Sequence, residues 1–166
     1  MPAKVNGLKI ERKFTESGKD SFKKLNWTKR DVEIRNFDGS VAFSMKGVNL
    51  PDNYSQVAAN VLSQKYLRKA GIPKKLKKVQ EKGVPIWLQK SVPDHKAMEK
   101  LPESEKYGEE VDGRQTFRRL AGTWTYWGWK HGYFASEDDA RAYYDEMCFM
   151  LASQRASPNS PQWFNT

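Results

Sequence analysis

A chain of 166 residues is about the length of one domain and can bury a hydrophobic core of its own. Charged residues make up 30% of it and the formal net charge is +9, so the chain is polar and basic. The single cysteine, Cys148, excludes an intrachain disulfide, and no stretch approaches the ~20 apolar residues of a membrane span. The start of the chain also lacks the apolar core of a signal peptide, which together with the unpaired cysteine predicts a cytoplasmic protein.

The amino-terminal part is predicted to contain a flexible arm and a β-hairpin. Residues 1–26 are polar and rich in lysine, which indicates a flexible basic arm. Residues 31–35 and 41–45 each alternate polar and apolar side chains, which is typical of β-strands. Between them lies Asp38-Gly39, and because glycine accepts the positive φ of a tight turn we expect a hairpin here. A lone hairpin is marginally stable in water, so another element should cover its apolar face.

A helix that follows the hairpin is the candidate for this cover. Pro51 and Asp52 open it, and Asp52 is expected to cap its free N–H groups. Gly71, which is followed by Ile-Pro, ends it. The apolar residues of this helix recur at helical spacing and predict a buried stripe: Tyr54, Val57, Ala58, Val61, Leu62 and Tyr66. The hairpin and the helix form the predicted unit 27–73, with Val61 in its core.

Regular patterning is lost in residues 74–113. Four of the first five residues are lysines, and three prolines interrupt the remainder. Segments of this length without a pattern are usually functional loops or linkers, so we predict a basic, proline-containing connector with one short helix around residues 74–82. Trp87 and Leu88 indicate that part of the connector docks against the surface of the domain.

Two further helices are predicted in residues 114–166. The first begins at Arg114, and its apolar residues recur at helical spacing: Phe117, Leu120, Ala121 and Trp124. The second begins after Ser136, which has the side chain of a capping residue, and ends before Pro158. The fold class is therefore predicted to be α+β, with a β-hairpin followed by three principal helices.

The residue types of a self-sufficient active site are missing. His95 and His131 are the only histidines, and with one cysteine they provide no spacing typical of a metal site. A nucleophilic pair of Cys148 and His131 is conceivable, but a cysteine within an apolar stripe is expected to be buried and unreactive. No glycine-rich phosphate loop follows a predicted strand. We therefore expect neither catalytic residues nor metal ligands in this chain.

The basic surplus has two interpretations. It favours an anionic partner, and arginines lie among tryptophans and tyrosines in residues 114–130, as on surfaces that stack nucleic-acid bases. However, Phe117 and Trp124 share an apolar stripe with Leu120, and no nucleic-acid-binding motif accompanies them. We therefore interpret the charge as a solvated surface and do not expect nucleic acid as a partner. A free-standing nucleic-acid- or protein-binding module is the alternative function.

Three stretches of the sequence resemble a known enzyme family. Residues 157–166, Ser-Pro-Asn-Ser-Pro-Gln-Trp-Phe-Asn-Thr, resemble the asparagine-serine-proline segment that opens the catalytic barrel of class II, adenosylcobalamin-dependent ribonucleotide reductases. Residues 57–71 and 120–129 resemble the amino-terminal region of the same large bacterial enzymes, and the resemblance runs from about Phe14 to Thr166. It implies an accessory region that precedes a ten-stranded α/β reductase barrel absent from this chain.

The resemblance also implies a function. The parent enzyme would reduce ribonucleotides, with diphosphates favoured, to deoxyribonucleotides for DNA synthesis by radical chemistry. Its cofactor would be adenosylcobalamin, which this fragment alone would not bind, and its radical-carrying and redox cysteines would lie beyond Thr166. Ser160 would contact the substrate phosphates, with Asn159 as a weaker candidate; the alternative is that Ser160 only completes a turn. The implied partners are the remainder of the reductase chain, the ribonucleotide and a second subunit in a homodimer, without a membrane.

Overall fold

A β-hairpin and two long helices form the framework of the protein, which a computed structural model describes over residues 7–166. The strands are β1 (Trp27–Arg35), β2 (Val41–Pro51), β3 (Ile72–Pro73), β4 (Leu76–Lys78), β5 (Ser91–Pro93) and β6 (Tyr107–Gly108). The helices are α1 (Gln56–Val61), α2 (His95–Met98), α3 (Glu103–Lys106), α4 (Gly113–Lys130), α5 (Glu137–Ala152) and α6 (Ser160–Asn165). A π-helical turn, Leu62–Tyr66, continues α1. The predicted α+β class with an initial hairpin is confirmed.

The hairpin forms around the predicted turn but is longer than its alternating pattern indicated. β1 and β2 pair antiparallel, and Gly39 in the turn has a φ of +84°. The extra length of β2 carries Val48 and Leu50, which are fully buried, and leads the strand to the start of α4. There the side chain of Asn49 donates to Asp112 at 2.9 Å. The end of β2 is thus fixed by a partner distant in sequence, which a local pattern does not reveal.

α4 and α5 begin at residues whose side chains cap them. Asp112 accepts from the backbone N–H of Arg114 at 2.9 Å, and it forms a capping box with Gln115. Ser136 accepts from the backbone N–H of Asp139 at 3.1 Å, as its position predicts. Each cap satisfies N–H groups that the first helical turn leaves free. The predicted starts of both helices are confirmed.

One hydrophobic core joins the hairpin, the π-helical turn, α4 and α5. Its fully buried members include Val48, Leu50, Phe117, Leu120 and Cys148. The predicted units 27–73 and 114–166 therefore share a single core.

The position of α1 differs from the prediction. Pro51 remains in β2, and Ser55 rather than Asp52 caps the helix by accepting from the N–H of Ala58. The helix starts at Gln56, later than predicted, and continues into a π-helical turn. The residues that it buries in the core are therefore Ala59, Leu62 and Ser63. Val61 is 43% exposed, so its prediction as a core residue was wrong. Val57, on the same predicted stripe, is also exposed.

Residues 7–26 are packed against α5 rather than held as a loose arm; residues 1–6 of the predicted arm lie outside the described residues. Asp145 and Glu146 of α5 are buried carboxylates that require partners. Arg12 forms a salt bridge with Asp145 at 2.8 Å, and the backbone N–H of Thr15 donates to Glu146 at 2.8 Å. Phe22 is also buried in the core. The sequence offered no sign that acidic residues in α5 would hold this segment.

The connector contains three short strands. β4 pairs with β5, and β6 pairs with β3 at the end of the preceding unit, both antiparallel. β4 thus occupies the stretch where a short helix was predicted. The docking expected of Trp87 and Leu88 is present: Leu88 is buried, and the indole N–H of Trp87 donates to Glu137 at 2.9 Å. Strands of two or three residues are too short to show a period of two, and therefore the pattern could not predict them.

Candidate functional site

The candidate substrate contacts, Asn159 and Ser160, lie at the start of α6. The alternative interpretation placed Ser160 in a turn, whereas the structure has a helix of six residues, Ser160–Asn165. Asn159 caps it, because its side-chain oxygen accepts from the N–H of Ser160 at 3.1 Å. Both residues are exposed. The hydroxyl oxygens of Ser160 and Tyr66 lie 3.2 Å apart, within hydrogen-bond distance. The site therefore joins the end of the π-helical turn to the start of α6.

Aromatic packing holds α6 in place. Trp163 is buried, and its ring stacks on Tyr66 with centroids 4.8 Å apart. Its indole N–H donates to the carbonyl of Pro158 at 3.1 Å, so the one polar group of this buried side chain is hydrogen-bonded. Phe164 lies 5.6 Å from the ring of Tyr66 but is 55% exposed. Tyr66 thus contacts α6 with both its ring and its hydroxyl group.

A buried ion pair fixes the other end of α6. Arg119 of α4 donates to Glu110 at 3.1 Å and to the carbonyls of Trp163 and Thr166 at 3.1 and 2.8 Å. It also donates to the carbonyl of Tyr66 at 3.3 Å. One guanidinium group therefore ties α4, the π-helical turn and α6 together, using the several donors that arginine presents in one plane.

Glu110, which is 3% exposed, is fully bonded in this arrangement. Besides Arg119, it accepts from the N–H of Arg68 and from the hydroxyl of Thr116, each at 2.9 Å. Burial by itself raises the pKa of Glu110, but the hydrogen bonds from Arg119 and from the backbone of Arg68 outweigh it. The pKa of Glu110 therefore lies below its ordinary value, and the carboxylate stays ionised to lower pH.

Sequence reasoning did not assign Tyr66, Arg119 or Glu110 to this site. Tyr66 was placed only on an apolar stripe, and Arg119 counted only as part of the basic surplus. Glu110 stands among charged residues that resemble a solvated loop, and no local signal marks it as buried. Their contacts with α6 join residues far apart in the chain, so only the folded structure brings them together.

Cys148 and His131 do not form a nucleophilic pair, and the expected burial of Cys148 is confirmed. Cys148 is fully buried in α5, whereas His131 is exposed at the end of α4. Burial also raises the pKa of the Cys148 thiol to about 12, so the thiolate does not form near neutral pH. Within residues 7–166, no group of three or more His, Cys, Asp or Glu side chains is arranged to hold a metal ion.

Several basic and aromatic side chains of α4 have partners inside the protein, although Arg118 and Trp127 remain about half exposed. Arg114 pairs with Asp112 at 2.6 Å, and Tyr126 and Lys130 both contact Glu81. The indole N–H of Trp129 donates to the carbonyl of Gly83 at 2.7 Å. These contacts do not form a continuous base-stacking surface and do not favour the nucleic-acid-binding alternative. In the part of the chain that the structure describes, no helix is sufficiently long and apolar to cross a membrane.

Comparison with known proteins identifies relatives over nearly the whole chain. A family model described as class II vitamin B12-dependent ribonucleotide reductase matches residues 28–154. A vitamin B12-dependent ribonucleotide reductase from Agrobacterium fabrum is 56% identical over 159 residues, which are 96% of this chain and 12% of that protein. The protein of the same name from Bradyrhizobium diazoefficiens is 52% identical over 96% of this chain and 13% of its own length. A third, from Streptomyces avermitilis, is 33% identical over 98% of this chain and 14% of its own length. The chain thus spans only a small part of these relatives.

Proposed function

The chain belongs to the class II vitamin B12-dependent ribonucleotide reductases, and we propose that it is an amino-terminal accessory region of such an enzyme. The proposed activity of the whole protein is the conversion of ribonucleotides to deoxyribonucleotides for DNA synthesis. The 56% identity to the Agrobacterium protein over 96% of the chain carries this proposal. The names of the relatives support adenosylcobalamin as the cofactor of the whole protein.

The described residues do not include a cysteine suited to carry the radical that the cofactor would generate. The radical chemistry implied by the family needs an accessible cysteine, and Cys148 is the only cysteine in the chain. Its thiol is buried and has a raised pKa, so it does not meet that need. We therefore propose that the remainder of the reductase chain holds the cofactor and supplies the catalytic cysteines, while this region serves a structural role.

Within this region, we propose Ser160 as a contact to the phosphates of a ribonucleotide, with Asn159 as a second contact. The exposure of both residues supports this role, as does the fixed position of the Ser160 hydroxyl beside Tyr66. A short hydroxyl on a well-packed element can approach an anion without losing much conformational entropy. A diphosphate substrate belongs to the same proposal.

The proposed partner of this region is the reductase barrel. Phe164 on α6 and Trp127 on α4 are large aromatic side chains that remain 55% and 47% exposed, and a covering barrel would remove them from water. A homodimer and a cytoplasmic location are parts of the same proposal; the single unpaired cysteine suits a reducing compartment.

Reassembly from two pieces tests the accessory role. The 166-residue chain is mixed with a reductase that lacks this region, and the mixture is analysed by size-exclusion chromatography and assayed for deoxyribonucleotide formation. We expect the two pieces to elute together and the activity to rise above that of the truncated reductase. Separate elution with unchanged activity would count against the accessory role. A Phe164→Ser variant should associate more weakly, whereas Phe37→Ser, which changes an exposed residue in the hairpin turn, is the matched control.

A further inference from the structure

A groove of about 860 Å³ lies between α4, α5 and the β4–β5 strands, apart from Asn159 and Ser160. Its basic side chains come from five separate segments: Arg68, Lys78, Lys90, Arg118, Arg119 and Arg141. Among residues 7–166, Asp20 is the one acidic residue that lines it. We call this feature the basic groove. Its volume falls within the range of about 300–1,000 Å³ that is usual for small-molecule sites.

Two lysines of the basic groove, Lys78 and Lys90, lack a salt-bridge partner among the described residues, whereas its arginines Arg118, Arg119 and Arg141 each contact a carboxylate. The ammonium group of Lys78 donates to the carbonyls of Trp87 and Gln89 at 3.2 and 2.6 Å. Burial lowers the pKa of Lys78. Like charges held together in a partly enclosed space favour an anion from solution.

Arg118 has the clearest free donor capacity in the basic groove. Its contact with Asp20 is long, at 3.4 Å, and both side chains are about half exposed, so this pair contributes little. By contrast, Arg119 is occupied by Glu110 and backbone carbonyls, as described above. Arg118 therefore has donors with which it can bind a phosphate oxygen, and arginine suits that geometry.

Aromatic rings form part of the wall beside these cations. Tyr126, Trp87 and Tyr144 line the basic groove. The guanidinium of Arg141 lies over the rings of Trp87 and Tyr144, 4.9 and 5.4 Å from their centroids, and also pairs with Asp145 at 3.3 Å. Cationic side chains and aromatic rings thus line the groove together. This arrangement suits a small polyanion, either a phosphate chain alone or one that carries an aromatic base.

We propose that the basic groove binds a small polyphosphate anion. The shared chemistry is a chain of phosphates contacted by Arg118, Lys78 and Lys90, and its source is either a nucleotide or inorganic polyphosphate. A macromolecular polyanion fits less well, because the groove has the volume of a small molecule and the other basic side chains of α4 are paired within the protein. This site is additional to the proposed contact at Ser160 and does not depend on it.

Calorimetric titration of the 166-residue chain with inorganic tripolyphosphate tests the proposal. Arg118→Gln and Lys90→Gln each remove one charge from an exposed side chain of the groove. Lys46→Gln removes the same charge from an exposed position on β2 and is the matched control. Each groove variant should weaken binding by about tenfold or more, because a hydrogen bond to a charged group contributes that much affinity. The control should bind as the parent does.

Further titrations identify the source of the phosphates. ATP that binds more tightly than tripolyphosphate would support the proposal with a nucleotide as the source. Equal affinities, with no binding of adenosine, would support it with the phosphate chain alone. The absence of tripolyphosphate binding, or an equal loss in Lys46→Gln, would overturn it. Displacement of tripolyphosphate by a single-stranded oligonucleotide at physiological salt would overturn it in favour of a nucleic-acid site.

Discussion

Leu120→Asp is the substitution whose effect the structure predicts most sharply, and Val61→Asp is its matched control. Both residues are aliphatic, lie on helices and were expected in the core, but Leu120 is 0% exposed and Val61 is 43% exposed. The first change places an unpaired carboxylate where neither water nor a cation reaches it. The second places one at the surface, where solvent hydrates it.

The magnitudes follow from this difference. Leu120→Asp should lower the free energy of unfolding by on the order of 3 kcal/mol or more, through loss of apolar burial and desolvation of the charge. Val61→Asp should cost below about 1 kcal/mol, since the new carboxylate is solvated. At about 2–4 °C per kcal/mol for a chain of this size, Leu120→Asp should lower Tm by roughly 6 °C or more.

Urea denaturation followed by circular dichroism, with thermal melting as a second assay, measures both variants against the parent chain. Equal stability losses in the two variants would refute the assignment of faces on α1 and α4. So would a Leu120→Asp protein as stable as the parent. A Leu120→Asn variant separates charge from polarity: it should be less damaging than Leu120→Asp at neutral pH, since an amide is easier to bury than a carboxylate.

Three further predictions concern the site and the surface. Because the pKa of Glu110 is lowered in the folded protein, its contribution to stability is present above the unfolded pKa and is lost as pH falls through the folded pKa. Glu110→Gln should therefore cost about 3 kcal/mol at pH 7, and the difference from the parent should shrink in acid; a constant difference between pH 7 and pH 3 in urea titrations would contradict this. Ser160→Ala in the full-length reductase should mainly raise KM, by about tenfold, with melting unchanged, whereas unchanged KM and kcat would leave Ser160 as a turn residue. The isolated chain should show no sequence-specific binding to oligonucleotides, and any weak association should fade steeply between low and physiological salt; tight binding at physiological salt that is lost in Trp127→Ala would support the nucleic-acid-binding alternative.

The sequence predicted the parts of the fold that local chemistry determines. The turn at Gly39 needs a positive φ, and the start of α5 needs the side chain of Ser136, so both were visible in short stretches. The buried face of α1 could not be predicted in this way, because it depends on where β2 ends and on the π-helical turn after Val61. The packing of residues 7–26 depends on the buried carboxylates Asp145 and Glu146, whose burial no local pattern shows.

The site was only partly predictable for the same reason. Ser160 and Asn159 were selected through the resemblance of one short segment to a known family. Tyr66, which contacts Ser160, lies 94 positions away in the chain, and Glu110 is buried within a stretch that looks solvated. Arg119 joins both, but a single arginine in a basic sequence carries no signal of its own. Long-range contacts of this kind require the folded structure.

The most direct test of the account is a comparison of deoxyribonucleotide formation by two purified proteins, each supplied with adenosylcobalamin, a dithiol and a ribonucleoside diphosphate. One is the 166-residue chain and the other is the full-length reductase that contains it. We predict product from the full-length enzyme and none above background from the chain, because its one thiol is buried. Deoxyribonucleotide made by the isolated chain, or a full-length protein without cobalamin-dependent activity, would contradict the assignment of this chain as a non-catalytic region of a class II reductase.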